Sequence, residues 1–483
     1  MCYKKISRRK FLGQASCAAL GSTTMLSSLA NLMLFNGMAA DKANSDNPDD
    51  YKALVCILLA GGNDSFNMLV PYGDPEYNAY AQSRSNLALS KANNQITPIT
   101  LNTPDPTGKT FGVHYNMQRV IDLYNAGNLA FIPNVGTLVE PVANVTEYNN
   151  NMTQLPLGLF SHSDQIEQWQ TSVPLSREAI GWGGKMADIL KSCNSNQNFS
   201  MNISLGGKNV FQTGNTISEF SISNQENGLA GIEQYRPWLG NSGFIHELRE
   251  DAIENMSAQV YNDILKDALG DLNNQAFASI EEFAGEMEAI PPFTTNFSDH
   301  SLSQDLKMMA RTIAAQEGLG MNRQTFFTVF GGWDHHDEVL NNQEYMLMVL
   351  SNAIGEFYEA LDEISPDMKD KVTLFTISDF ARTLTSNGNG SDHAWGGNSI
   401  VAGGAVNGTD FYGTYPDLHI PGNPLMTDER GRLIPTTSTD AYFAELALWF
   451  GLSPTDLIDV LPNIGNFYNI NSNQMPLGFL PWV

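Results

Sequence analysis

Three apolar runs each break abruptly into a loop that carries glycine with acidic or imidazole side chains, and this repeated transition limits what the chain can fold into. Leu54-Val55-Cys56-Ile57-Leu58-Leu59 leads into Ala60-Gly61-Gly62-Asn63-Asp64, and Thr325-Phe326-Phe327-Thr328-Val329-Phe330 leads into Gly331-Gly332-Trp333-Asp334-His335-His336-Asp337. Val372-Thr373-Leu374-Phe375-Thr376-Ile377 leads into Ser378-Asp379. Short uninterrupted apolar runs of this kind are strands covered on both faces. Similar runs recur at Leu129-Ala130-Phe131-Ile132 and Ser399-Ile400-Val401-Ala402, with helical patterns over 117–126, 252–287, 304–316 and 344–364. Strands alternating with helices predict an α/β fold with a mostly parallel central sheet and helices on both faces. In that architecture ligands gather beyond the carboxyl ends of strands, where the polar loops fall. Asn-rich stretches at 142–156, 194–202 and 463–473 read as loops, and no internal repeat is visible.

The amino terminus sets the compartment. Ser7-Arg8-Arg9-Lys10-Phe11-Leu12-Gly13 opens a small-residue apolar stretch without charge as far as Ala40, the form of a twin-arginine export signal. A retained membrane anchor is the alternative, but Gln14, Ser16, Gly21, Ser22, Thr23, Thr24 and Asn31 dilute the stretch. Cleavage near Gly37-Met38-Ala39-Ala40 is therefore expected, leaving no stable transmembrane span. Lipid attachment at Cys17 is a further option, although Gln14-Ala15-Ser16 makes a poor lipoprotein box. The expected organisation is a signal at 1–40, a flexible leader at 41–50 and a single domain over 51–483, periplasmic or secreted. The export machinery is the implied partner, and because that route carries folded proteins it favours a metal or cofactor installed before export.

Removing 1–40 takes away five basic side chains (Lys4, Lys5, Arg8, Arg9, Lys10) and no acidic one, moving the formal charge from −26 to −31. Such acidity excludes nucleic acid as a natural partner, and an anionic substrate must be captured by a local metal or arginine. Of four cysteines only Cys56 and Cys193 survive cleavage, so no disulfide framework is expected.

Two readings attach to each polar loop. Asp64 after Gly61-Gly62 can hold a divalent cation through oxygen, or Asn63 or Asp64 can cap the next helix. Asp334-His335-His336-Asp337 places two imidazoles between two carboxylates, a donor set that suits zinc, iron or manganese; the plainer reading is a solvated helix start. Asp379 with Arg382 forms either an ion pair or a division of labour between metal and substrate anion. Asp392-His393 lies in a glycine-rich loop able to fold back towards the strand ends. Phe160-Ser161-His162-Ser163-Asp164 sets a hydroxyl beside an imidazole, either a nucleophile or a capping serine with a hydrogen-bonded histidine. His114 reads as structural.

These motifs, with Gly181-Trp182-Gly183-Gly184, Ser378-Asp379-Phe380-Ala381-Arg382-Thr383, Asp392-His393-Ala394-Trp395-Gly396, Thr436-Thr437-Ser438 and Trp449-Phe450-Gly451, resemble the bacterial domain-of-unknown-function family 1501, a sulfatase-like branch of the alkaline phosphatase superfamily. The resemblance implies an alkaline phosphatase/sulfatase-like fold, a divalent ion (zinc, calcium or manganese) and hydrolysis of a sulfate or phosphate ester on a small molecule or polysaccharide. It assigns Asp64, Asp334, His335 or His336, Asp379 and His393 to the metal, Ser161 to the attack and Arg382 to the anion. One position departs from the superfamily pattern: Phe380 stands where a histidine usually follows the late aspartate, which implies a single-metal or altered site. A non-catalytic envelope or polysaccharide-binding protein is the alternative expectation, and an exported metal-dependent oxidoreductase a third.

Overall fold

The computed structural model describes residues 51–225, 228, 255 and 264–482. The signal, the leader and, apart from 255, the 252–263 part of one expected helix lie outside the described residues. Strands are β1 (Lys52–Ala60), β2 (Leu69–Pro71), β3 (Ile96–Ile99), β4 (Phe111–His114), β5 (Leu129–Gly136), β6 (Asn202–Ser204), β7 (Phe220–Ser221), β8 (Arg323–Gly331), β9 (Val372–Ser378), β10 (Gly397–Ala402) and β11 (Thr437–Ser438). The helices used below are α1 (Asp74–Arg84), α2 (Gln118–Asn125), α3 (His162–Thr171), α4 (Trp182–Leu190), α5 (Ile264–Ala289), α6 (Ser301–Ala314), α7 (Val339–Ile364) and α8 (Thr439–Phe450).

The fold is α/β, as the alternation of patterns implies. Eight strands form one sheet in the order β11-β5-β10-β9-β1-β8-β6-β7. All neighbours in it are parallel except β10, which runs antiparallel to both β5 and β9. A separate antiparallel sheet, β2-β4-β3, was not expected from the sequence. Its strands are only three or four residues long, too short for a period-2 pattern to stand out.

Side chains alternate across β1, so one strand serves two cores. Val55, Ile57 and Leu59 pack with Val120 of α2, Leu306 of α6 and Leu350 and Phe357 of α7. Leu54, Cys56 and Leu58 pack on the other face with Trp182 of α4 and Phe443 of α8. Ser438 caps α8 by accepting from Ala441 N, and Gly451 ends it at φ 118°, a conformation that favours glycine. Phe443 stacks on Trp182 with ring centroids 4.7 Å apart and is wholly buried. Phe443→Ala is therefore expected to lower unfolding free energy by roughly 3–5 kcal/mol, whereas Tyr345→Ala on the exposed face of α7 should change it by less than about 0.5 kcal/mol, both read from urea unfolding.

His114, at the end of β4, is buried with Nδ1 accepting from Asn116 N. Burial pushes its pKa down to about 4, against a weaker opposing pull from Glu344. The folded state thus refuses a proton that the unfolded chain accepts at about 6.5, so this contribution to stability is complete above that pH and is lost as pH falls towards 4. His114→Gln should flatten the decline in urea midpoint between pH 6.5 and 4.5 relative to the parent.

Candidate functional site

Parallel pairing in register brings three strand ends to one level. Ala60 of β1 lies opposite Gly331 of β8, and Leu59 opposite Ser378 of β9. The chain then turns at Gly61 and Gly62, both at positive φ. A Cβ on Gly61 would sit 2.5 Å from Asp334 N, so only glycine allows the β1 turn to approach the Trp333-Asp334 backbone this closely. Gly61 N donates to both oxygens of Asp379 at 3.1 Å, which ties the first polar loop to the third.

His393 reaches the site because its loop folds back as an antiparallel bridge against Arg382. Thr383 N donates to Asp392 O, and Ala394 N and Ala381 O close the same ladder. His162 arrives from a different direction as the first residue of α3, following Phe160, which adopts a left-handed φ of 69°.

Around Asp334 three imidazoles converge. His393 Nε2 lies 3.1 Å from His162 Nε2, 3.1 Å from His336 Nε2 and 3.3 Å from Asp334 Oδ1. His336 Nε2 is 3.0 Å and His162 Nε2 3.6 Å from the Asp334 carboxylate. Each ring's other nitrogen faces an acceptor: His162 Nδ1 meets Asp379 Oδ2 at 2.6 Å, His336 Nδ1 meets Asp392 Oδ1 at 3.0 Å, and His393 Nδ1 meets Phe160 O at 2.9 Å. Arg382, fully buried, donates to Asp334 Oδ1 at 2.7 Å and to Ser391 O at 2.6 Å. The Phe380 ring lies 4.7 Å from both the His162 and His393 rings.

Electrostatics follow the geometry. Partial burial works against the Asp334 charge, but Arg382, together with His336 and His162, holds the carboxyl below the usual range. Asp379 is raised by burial despite its bonds to His162 and Gly61 N. Asp392, also partly buried, is held low by Asn387, Arg430 and His336. Burial lowers His393, with further lowering from the nearby His162 and Arg382.

Of the residues singled out by sequence, Asp334, His336, Asp379, His393 and Arg382 gather in this cluster. Three stand apart. Asp64 is fully buried in an ion pair with Arg84 from α1 and accepts from Ser391 Oγ. His335 turns into the interior, its ring 6.2 Å from that of Trp333. Ser161 occupies the cap position of α3 without making a cap bond, its hydroxyl 3.3 Å from that of Ser163. The residues that sequence reasoning undervalued are His162 and Asp392. His162 sat inside a motif noted for its serine, and the signal for it was the imidazole missing at Phe380. Asp64→Asn would leave the Arg84 charge buried and unpaired, so it should cost roughly 3–5 kcal/mol in urea unfolding.

The chain belongs to the family described as Protein of unknown function (DUF1501), whose model matches residues 51–423. No curated protein matches it. Among solved structures, the lipoteichoic acid synthase LtaP from Listeria monocytogenes is 9% identical with a TM-score of 0.32, covering 88% of this chain and 78% of its own. A sulfatase from Pseudoalteromonas sp. is 9% identical with a TM-score of 0.35, covering 94% of this chain and 75% of its own.

Proposed function

We propose that this chain is an exported, metal-dependent hydrolase of sulfate or phosphate esters, with 51–483 as a single domain working in the periplasm or outside the cell. The observation that carries this reading is the meeting of imidazole and carboxylate donors at the carboxyl ends of β1, β8 and β9. His162, Asp334 and His393 each offer one donor atom, all within 4.8 Å of one another, a donor set that fits a divalent cation. A bound ion would supply Lewis acidity towards an ester oxygen. The chain's own residues do the rest. Arg382 fixes Asp334, Asp379 fixes His162, and Ser161 stands at the amino end of α3, the positive end of the helix dipole and a favourable place for an anionic group. Among the described residues no helix is long and apolar enough to cross a membrane, and the arginine-led amino terminus supports export.

Ser161 bears on the alternative. Its hydroxyl meets Ser163 and the Asp164 carboxylate rather than an imidazole, which favours a non-catalytic protein that binds a polysaccharide or envelope component. Turnover separates the two. Metal-loaded protein should hydrolyse aryl sulfate or aryl phosphate, chelation should abolish this reversibly, and Ser161→Ala should lower kcat by roughly 10³-fold or more on the scale of lost activated nucleophiles. No hydrolysis of either ester class by metal-loaded protein would decide for binding.

A further inference from the structure

We infer that His162, His336 and His393 together with Asp334 form a nitrogen-rich coordination site for one transition-metal ion of the zinc class, and that Asp379, Asp392 and the Phe160 carbonyl aim the imidazoles without ligating. This rests on the metal reading above and sharpens it. It moves Asp379 and Asp64 out of the coordination sphere, adds His336 to the three donors named above, and disfavours calcium.

The argument begins with proton placement. A ring nitrogen that faces a carboxylate or a carbonyl carries the hydrogen, because both partners only accept. All three Nδ1 atoms face such acceptors, so each neutral ring presents a lone pair at Nε2. Those lone pairs point at one another: His393 Nε2 lies 3.1 Å from the Nε2 atoms of both His162 and His336, with the Asp334 carboxylate 3.0–3.6 Å from all three. Lone pairs at that spacing repel unless a proton or a metal ion sits among them, and a single ion can engage all of them where a proton bridges only one pair. Ligand atoms about 2.0–2.1 Å from a tetrahedral ion are about 3.3 Å apart, close to the His393–His162, His393–His336 and imidazole–Asp334 separations above; His162, Asp334 and His393 all lie within 4.8 Å of one another, and His336 joins them through His393 and Asp334. Imidazole donors select zinc and its neighbours, whereas calcium takes oxygen. A carboxylate or carbonyl behind each ligating imidazole is the arrangement that orients such rings and raises their basicity.

Phe380 acquires a role on this reading. It is almost wholly buried, and a Cβ at Gly62 would strike its ring at 2.6 Å, so the ring is confined. His162 and His393 both pack against it. Position 380 thus forms the wall on which an imidazole delivered from α3 is held.

The test is metal binding by the full folded protein, stripped by chelation and titrated separately with zinc, cobalt(II) and calcium. One zinc per chain is expected, with a cobalt spectrum characteristic of few-coordinate nitrogen ligation and no competition from millimolar calcium. His162→Ala, His336→Ala and His393→Ala should each weaken zinc by about 100-fold or more and alter the cobalt spectrum. Asp379→Asn should weaken zinc only about 10–100-fold, the range for loss of an orienting partner, with the spectrum retained. His162→Gln, with circular dichroism and urea midpoints on every variant, separates lost coordination from lost folding. Undiminished zinc binding by folded His162→Ala, or calcium outcompeting zinc, would overturn this assignment while leaving a metal-dependent hydrolase possible through other ligands. Absence of any bound ion would overturn both. Zinc binding as described without ester hydrolysis would sustain the site and remove the hydrolase.

Discussion

Parallel pairing on both sides of β1 is the constraint on which the rest depends. A strand covered on both faces has its position fixed by side-chain packing, because a slip of one residue would exchange the two buried sets. Val55, Ile57 and Leu59 differ from Leu54, Cys56 and Leu58 in branching and shape position by position, so trading them would force both cores to repack. With β1 held in this way, its neighbours β8 and β9 end at Gly331 and Ser378 on either side of the Gly61-Gly62 turn. The site is therefore assembled from residues more than 300 positions apart without any flexible search, and Gly61 N bonding Asp379 joins the two sides directly.

Beneath the imidazoles lies a buried ionic chain. Arg84 pairs with Asp64, Asp64 accepts from Ser391 Oγ, the Ser391 carbonyl receives Arg382, and Arg382 holds Asp334. A buried ion pair contributes little net stability compared with apolar packing, since desolvation offsets the Coulomb attraction, yet breaking one partner away is strongly destabilising. Such a chain specifies geometry more than it adds free energy. Its upper end is the one carboxylate that all three imidazoles share, and the Arg84 guanidinium provides the positive charge that Asp64 would otherwise seek from an ion.

The central strands were legible because they are long, apolar runs punctuated by glycine, whereas the helix expected over 344–364 begins five residues earlier, at Val339, where the polar Asn341-Asn342-Gln343 run hides its apolar period. The antiparallel direction of β10 was not legible, since an apolar run has no polarity that shows which way it pairs. Chain order suggested Asp64 as a ligand, but nothing local to it reveals that Arg84, on a helix twenty residues later, claims it. His162 shows the same limit in reverse. Its neighbours are hydroxyls and an aspartate, and its contacts in the cluster are with Asp379 and His393, more than 200 residues away.

Charge distribution closes the physical account. A chain with formal charge −26 repels anions, but at physiological salt that repulsion is screened beyond about 8 Å. Contact groups decide what happens inside that distance. Arg430 pairs with Asp392, Arg432 donates to His393 O and lies over the Phe160 ring, and Arg177 pairs with Asp164 in the first turn of α3. Each guanidinium is matched by a carboxylate, Arg432 by Asp428, so these groups act as ion pairs whose charges largely cancel rather than as free positive charge. Screening therefore weakens the repulsion of an anion by the acidic body, but these paired arginines do not reverse its sign close to the surface.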